Sequence, residues 1–342
     1  MKLLDQNIKG DFTQELRTKL YNKIIGQTEP IEIICEYYQL YKTKLIPTNR
    51  PIANLLMIGP TGTGKTRVVE AFAESVFGSD KAFIKIDCGE FQHSHEISKL
   101  VGSPPGYLGH RETHPIFSEE KIKQHQTEQN KFTIVLFDEI EKSSDALWNL
   151  LLGILDKGTL TLGDNKQVDM SSCFIIMTSN IGAQKLAQLK KKRDLGFTQT
   201  DKLNSVSDMR NFSISEVKKK FTPEFINRLD RMIYFRELNH DDYIKILNIE
   251  LALLQDLIMY KTKQNIFIEF TDKSKEYILA KGISKEYGAR DLKRIIDRSV
   301  KISLSNLIAS KQIEQYDIVK VDYDDDFKFY KIEPEDYYNA FL

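Results

Sequence analysis

Asn54-Leu55-Leu56-Met57-Ile58-Gly59-Pro60-Thr61-Gly62-Thr63-Gly64-Lys65-Thr66 is an apolar run that stops at a glycine and opens into a full match to GxxxxGK[ST] over residues 59–66. After it, Val68, Val69, Phe72 and Val76 recur at helical spacing, and Gly78 sits where a C-terminal cap belongs. In a strand, glycine-rich turn and helix of this order, backbone N–H groups curl around phosphate oxygens at the positive end of a helix. Gly59, Pro60, Thr61, Gly62, Thr63 and Gly64 would form the cradle. Lys65 would reach the β- and γ-phosphates, and the Thr66 hydroxyl would bind Mg²⁺.

Working outward, Ala82–Asp87, Phe132–Phe137 and Cys173–Thr178 are further near-continuous apolar runs, and Arg231–Phe235 is a weaker one. Runs of this kind suit parallel strands buried on both faces, with crossover helices in the long intervals between them. The expected fold is α/β, a five-stranded parallel sheet sandwiched by helices. The third run continues into Asp138-Glu139, and two carboxylates at the end of an apolar strand are costly unless they serve a cation or a reaction. Asp138 would hold Mg²⁺, indirectly or through water, and Glu139 would orient and polarise the attacking water as general base. Asn180 follows the next strand, at the carboxyl end where ligands of such sheets sit. It either positions that water or simply terminates the strand. Together these elements predict hydrolysis of ATP or GTP.

Composition bounds the rest. The chain has 342 residues, 41% hydrophobic and 29% charged, which excludes collagen-like, low-complexity and disordered classes. Lys plus Arg and Asp plus Glu are each 49, so the net charge is zero and a nucleic-acid partner is not expected. No stretch approaches the roughly 18 apolar residues of a membrane span, and the polar start Met1–Gln6 does not suit a signal peptide. Cys35, Cys88 and Cys173 lack ligand spacing and read as reduced, buried thiols of a cytoplasmic protein. His93, His95, His110, His114 and His125 show no metal-binding spacing and read as polar loop residues.

Beyond Arg236 the texture changes. Tyr243, Ile246, Leu247, Leu251, Leu254 and Ile258 form a helical stripe, followed by β-like runs at Ile266–Phe270 and Asp317–Tyr323. Two domains are expected, a large one over 1–235 and a small α+β one over 236–342. The polar stretch Ala183–Glu216 reads as an exposed or mobile connection, and Asp322–Asp326 as a solvated acidic turn.

At this point the residues carry a resemblance. Ile24-Ile25-Gly26-Gln27, Asn49–Ile52, His93–Leu100, Val101–Gly109, the LFDEIEK segment Leu136–Lys142, Leu155–Thr161, Met177–Asn180, Phe221–Asp230 and Tyr287–Arg294 recur in that order. This set resembles the second AAA+ module of the class I Clp/Hsp100 unfoldases and covers roughly residues 20 to 325. The resemblance implies an AAA+ P-loop NTPase with a small α+β lid domain, ATP and Mg²⁺ as cofactors, and a homohexameric ring that acts on unfolded or tagged proteins. Ile25 would line the adenine pocket. Asn180 resembles sensor 1, Arg228 an arginine finger inserted into the neighbouring subunit, and Arg290 a sensor 2 that couples nucleotide state to domain angle. Read from the residues alone, Thr222 is an N-cap and Pro223 a first helical position, so Arg228 lies on a short helix that could face out.

Gly106-Tyr107-Leu108-Gly109 resembles the axial pore loop that grips polypeptide; without the family it reads as a Pro-Pro-Gly turn with an ordinary tyrosine. Leu195-Gly196-Phe197 resembles the tripeptide by which peptidase-coupled relatives dock on a ClpP-like peptidase, and it could equally fold back on its own domain. The sequence departs from the family at Gly89, where a serine is usual, and over His110–Lys131, which lacks the usual glycine-containing pattern. Only one AAA+ module is present, so the chain is expected to act as a stand-alone single module. The expected function is an ATP-driven unfoldase that threads polypeptide through a ring. The alternatives are the regulatory ATPase subunit of a Clp-type protease, a nucleic-acid motor, and a non-threading ATP switch or scaffold.

Overall fold

All five apolar runs become strands. In the computed structural model, which describes residues 10–103, 115–183, 185–186, 205–262, 265–283 and 288–332, the chain divides into two units, the body of the first ending at Glu237 and, apart from Thr61–Thr63, the second starting at Leu238.

The strands of the first unit are β1 (Ala53–Ile58), β2 (Ile84–Asp87), β3 (Thr133–Asp138), β4 (Thr159–Thr161), β5 (Gln167–Asp169), β6 (Cys173–Ser179) and β7 (Arg231–Tyr234). The main sheet has the order β2-β3-β6-β1-β7, and every pairing in it is parallel. Its central strands are buried on both faces. Leu56 and Ile58 of β1, Val135 and Phe137 of β3, and Ile175 and Met177 of β6 point into one core. Leu55 and Met57, Ile134 and Leu136, and Phe174 and Ile176 point into the other. Both parities are apolar, which is why these strands read as unbroken runs.

Helices α1 (Asp11–Lys23), α2 (Thr28–Lys42) and α3 (Lys65–Phe77) fill the second core with Leu20, Ile34, Val69 and Phe72. Phe72 stacks on Phe132 at 5.9 Å and meets Phe174 edge-on at 5.3 Å. Each such fully buried side chain is worth about 1.5–3 kcal/mol. The short helices α4 (Ser98–Val101) and α5 (Glu119–Lys123), with α6 (Asp145–Lys157), cover the opposite face through Leu100, Ile122, Leu147, Leu151 and Ile154. Helix α3 ends as its sequence indicates: Gly78 is left-handed and its N–H donates to the Glu74 carbonyl.

One expectation is corrected. The stretch expected to be a loop to Glu216 contains a helix, Val206–Lys220, nucleated by a capping box in which Ser205 and Asp208 satisfy each other's backbone N–H groups. Its apolar residues, Val206, Met209, Phe212, Ile214 and Val217, do not keep to one helical face, and it fully buries only Ser213, Glu216 and Val217, so no apolar stripe announces it. Lys185 and Lys219 both pair with the buried Glu216 carboxylate.

In the second unit Tyr243, Leu247, Leu251, Leu254 and Ile258 of the helix His240–Thr262 form the expected buried stripe. Strand β8 (Phe267–Phe270) pairs in parallel with β9 (Ile318–Asp324), and β9 pairs antiparallel with β10 (Asp326–Ile332). The acidic turn is therefore tighter than expected. Its apex is Asp325 alone, in the left-handed conformation at φ 60°, where Asp is one of the few residues tolerated.

Candidate nucleotide site

Sheet order brings the site together. Strand β6 lies between β1 and β3, with Ile58 level with Ser179 and Phe137 level with Met177. The carboxyl ends of three strands therefore open side by side. Lys65 follows β1, Asn180 follows β6 and Asp138-Glu139 ends β3.

The loop after β1 needs its glycines. At Gly59, where φ is +150°, a β-carbon would lie 2.4 Å from the Phe235 carbonyl oxygen. Phe235 is held there because its N–H donates to the Ile58 carbonyl at 2.8 Å. Gly64 is left-handed and a β-carbon on it would meet nothing within 4 Å, so open space lies above the start of α3. That helix end has no side-chain cap and no acidic residue in its first turn. An open, uncapped helix N-terminus beside a lysine fits a phosphate group.

Lys65 is 8% exposed, and its ammonium donates to the carbonyls of Gly59 (2.8 Å) and Pro60 (2.7 Å) and to Asn180 Oδ1 (2.9 Å). On its other side Asn180 donates from Nδ2 to Glu139 Oε1 at 2.9 Å. The amide orientation is forced, since oxygen faces an ammonium and nitrogen a carboxylate. The second carboxylate oxygen of Glu139 pairs with Lys142. The backbone of Glu139 is left-handed, at φ 57° and ψ 51°, which costs a non-glycine residue roughly 1–2 kcal/mol. Its N–H donates to Thr178 Oγ1 at 2.9 Å and so helps hold the strained turn.

The Thr178 hydroxyl in turn donates to Asp138 Oδ1 at 2.6 Å, and Lys85 reaches Asp138 Oδ2 at 2.9 Å. Burial by itself would raise the Asp138 pKa. The hydrogen bonds from Thr178 and Lys85, with the charges of Lys85 and Lys65, outweigh it and hold the carboxyl below its ordinary value. Asp138 is thus ionised at neutral pH, and an ionised carboxylate is a hard-oxygen ligand of the kind that suits Mg²⁺.

Three of these partners were not singled out from sequence: Lys85, Lys142 and Glu141, whose Oε1 accepts the Asn180 backbone N–H at 2.9 Å. Both Glu141 and Lys142 belong to the LFDEIEK segment; the partner of Glu141 lies 39 residues away in the chain, whereas that of Lys142 is Glu139 in the same segment.

Ile25 lies half-buried in the turn between α1 and α2, next to Gln27, whose Nε2 donates to the Arg236 carbonyl. Thr222 caps the helix Pro223–Asn227 by accepting the Phe225 N–H, as expected. Arg228 at its end does not extend freely. Its side chain is 23% exposed and pairs with Glu224 (2.9 Å) and Asp156 (3.6 Å). Arg290 is exposed at the first position of the helix Arg290–Ile295 in the second unit. Gly106-Tyr107-Leu108-Gly109 and Leu195-Gly196-Phe197 lie outside the described residues.

A phosphate loop, an acidic strand end and a polar strand end between them define a nucleotide-binding ATPase of the AAA+ class. Comparison with known proteins narrows this. The AAA domain of the Cdc48 subfamily matches residues 50–232. The C-terminal D2-small domain of ClpB protein matches residues 238–321. The chain is 37% identical over 322 residues to the ATP-dependent Clp protease ATP-binding subunit ClpC of Staphylococcus epidermidis, covering 94% of this chain and 38% of that protein. It is 36% identical over 315 residues to ClpC of Staphylococcus aureus strain USA300, covering 92% of this chain and 37% of that one. A closed-state cryo-EM reconstruction of Hsp104 with ATPγS and FITC casein superposes with a TM-score of 0.78 at 26% identity, over 95% of this chain and 53% of that one. The chain belongs to the Clp/Hsp100 family of AAA+ ATPases, where it corresponds to the second AAA module with its small C-terminal domain. It spans little more than a third of the length of the curated relatives it matches. Among the described residues no helix is long and apolar enough to cross a membrane.

Proposed function

We propose that this chain is an ATP-driven protein unfoldase or remodelling chaperone that assembles as a ring, a homohexamer, and threads polypeptide through its pore. The observation that supports the reading best is the hydrogen-bonded line from Lys65 through Asn180 to Glu139, which links the group that would sense phosphate to the group that would activate water.

The N-terminus of α3 and Lys65 bind the phosphates. Thr66 and Asp138 would hold Mg²⁺, which would supply charge neutralisation at the phosphate oxygens. Glu139 orients the attacking water and takes its proton, and Asn180 fixes the Glu139 carboxylate while it does so. Arg228 offers its guanidinium to the site of a neighbouring copy, where charge spreads over the transferring phosphoryl group. Arg290 senses the γ-phosphate from the small domain, and Ile25 lines the adenine pocket. The chain acts in the cytoplasm.

Threading assigns the grip to Gly106-Tyr107-Leu108-Gly109. A stably folded fluorescent protein with an unstructured tail should lose fluorescence in an ATP-dependent way with the wild type. With Tyr107→Ala it should lose fluorescence at least about tenfold more slowly while ATP turnover continues, because the flat aromatic ring supplies most of the grip. Equal rates would overturn the pore-loop role. No loss with either protein, despite ATP turnover, would favour a switch over a motor.

A second reading is favoured by the ClpC relatives, which are ATP-binding subunits of an ATP-dependent protease. In that case Leu195-Gly196-Phe197 docks on a ClpP-like peptidase. Deleting the tripeptide should abolish peptidase binding in a pull-down and leave ATPase unchanged. Undiminished binding would remove the tripeptide from the interface.

A further inference from the structure

Asn54 is a polar residue in an otherwise apolar strand, fully buried in β1 four residues before the end of that strand. A buried amide is costly unless its hydrogen bonds are made. Here both N–H groups of Nδ2 are used, on the carbonyl of Leu155 at 3.0 Å and the carbonyl of Arg228 at 3.1 Å, while Oδ1 is buried with no hydrogen-bond partner among the described residues, a cost that the two donor bonds must offset. Both partners are acceptors only, so a group with two N–H donors is required at this point. Serine could satisfy one carbonyl, and aspartate would set a carboxylate against both.

The same residue ties the Arg228 segment down a second time. Its backbone N–H donates to Asp230 Oδ2 at 2.7 Å, and its carbonyl accepts the Asp230 N–H at 2.8 Å. Asp230 is held in turn by Arg50, whose Nη2 lies 2.5 Å from Oδ1. Leu155 is the neighbour of Asp156, which flanks the Arg228 guanidinium. One amide therefore fixes both the main chain that carries Arg228 and the helix end that aims its side chain.

We propose that Asn54 is a positioning residue for Arg228, joining the strand that carries the phosphate loop of one subunit to the arginine that the subunit presents to its neighbour. This rests on the reading of Arg228 as a residue acting in the neighbouring site. The consequence is mechanical. A shift of the loop-bearing strand is transmitted to the Arg228 main chain through one hydrogen bond of this buried side chain and to the neighbour of Asp156 through the other.

The test is a double-mutant cycle on the full chain, with kcat, KM and thermal midpoint measured for Asn54→Ala, Asn54→Ser, Arg228→Ala and the two doubles. Asn54→Ala should lower kcat about tenfold with KM for ATP within twofold, the pattern of an interaction made only in the transition state. Asn54→Ser, which keeps one donor, should fall between Asn54→Ala and wild type. In the Arg228→Ala background neither change should lower kcat further. Additive losses, or an Asn54→Ser protein with wild-type kcat, would overturn the proposal. If Asn54→Ala does not fold, the Asn54→Ser cycle decides alone. Wild-type kcat in Arg228→Ala itself would instead refute the role given to that arginine and is thereby distinguished from failure of the positioning role.

Discussion

Glu139→Gln is expected to bind ATP within about twofold of wild type and to turn it over at least about 100-fold more slowly, the usual loss when a general base is removed. The substitution separates chemistry from structure. The new side-chain amide keeps an oxygen to accept from Asn180 Nδ2, so the contact at 2.9 Å is retained. Glutamine has nearly the same volume as glutamate and tolerates the left-handed turn no worse, so the strain at φ 57° is unchanged. What the variant loses is the carboxylate that takes the proton and the ion pair with Lys142. That pair is partly exposed and should contribute little to stability. Binding of a fluorescent nucleotide and release of phosphate, measured on the same preparation, check both halves. Turnover near wild type would remove Glu139 from the role of base and leave Asp138 as the nearest carboxylate at the strand end.

The sheet was legible because its three central strands are buried on both faces. Apolar residues on both parities leave a run that no surface strand produces, and the five runs align with β1, β2, β3, β6 and β7 to within two residues at each end. Strand β10 was not legible for the opposite reason. Asp326-Phe327-Lys328-Phe329-Tyr330-Lys331-Ile332 lies at a sheet edge with half its side chains in water, and it follows directly on a cluster of aspartates. The three-residue strands β4 and β5 each bury one central side chain, too little for a periodic signal. Within the site, the residues that a spacing rule assigns could be named in advance. Those chosen by three-dimensional proximity could not. Lys85 meets Asp138 only because β2 pairs with β3, and Asn54 meets Arg228 across 174 residues of chain. For Asn54 a signal did exist, in the lone amide within an apolar strand, but it identified a buried polar need without naming the partner.

Lys65→Ala should fail at the step that Glu139→Gln leaves intact, with nucleotide affinity falling about 100-fold. A hydrogen bond to a charged group is worth about 1.5–3 kcal/mol, which is roughly 10- to 150-fold in affinity. The value should lie toward the upper end because Lys65 is almost wholly removed from water, where its charge is poorly screened. The ammonium also gathers the Gly59 and Pro60 carbonyls and the Asn180 amide oxygen around itself. An alanine leaves those three acceptors facing one another, and the loop loses the cation that draws its oxygens inward and turns its N–H groups toward a phosphate. The thermal midpoint should move by only a few degrees, because the site opens to water that can satisfy the released carbonyls. Calorimetric titration with a non-hydrolysable ATP analogue, at a temperature where both proteins are folded, reads the effect. Wild-type affinity in a folded Lys65→Ala protein would mean that the nucleotide is held elsewhere. Loss of binding here, set beside retained binding in Glu139→Gln, would assign the two ends of the Lys65–Asn180–Glu139 line to separate steps, phosphate capture at one and water activation at the other.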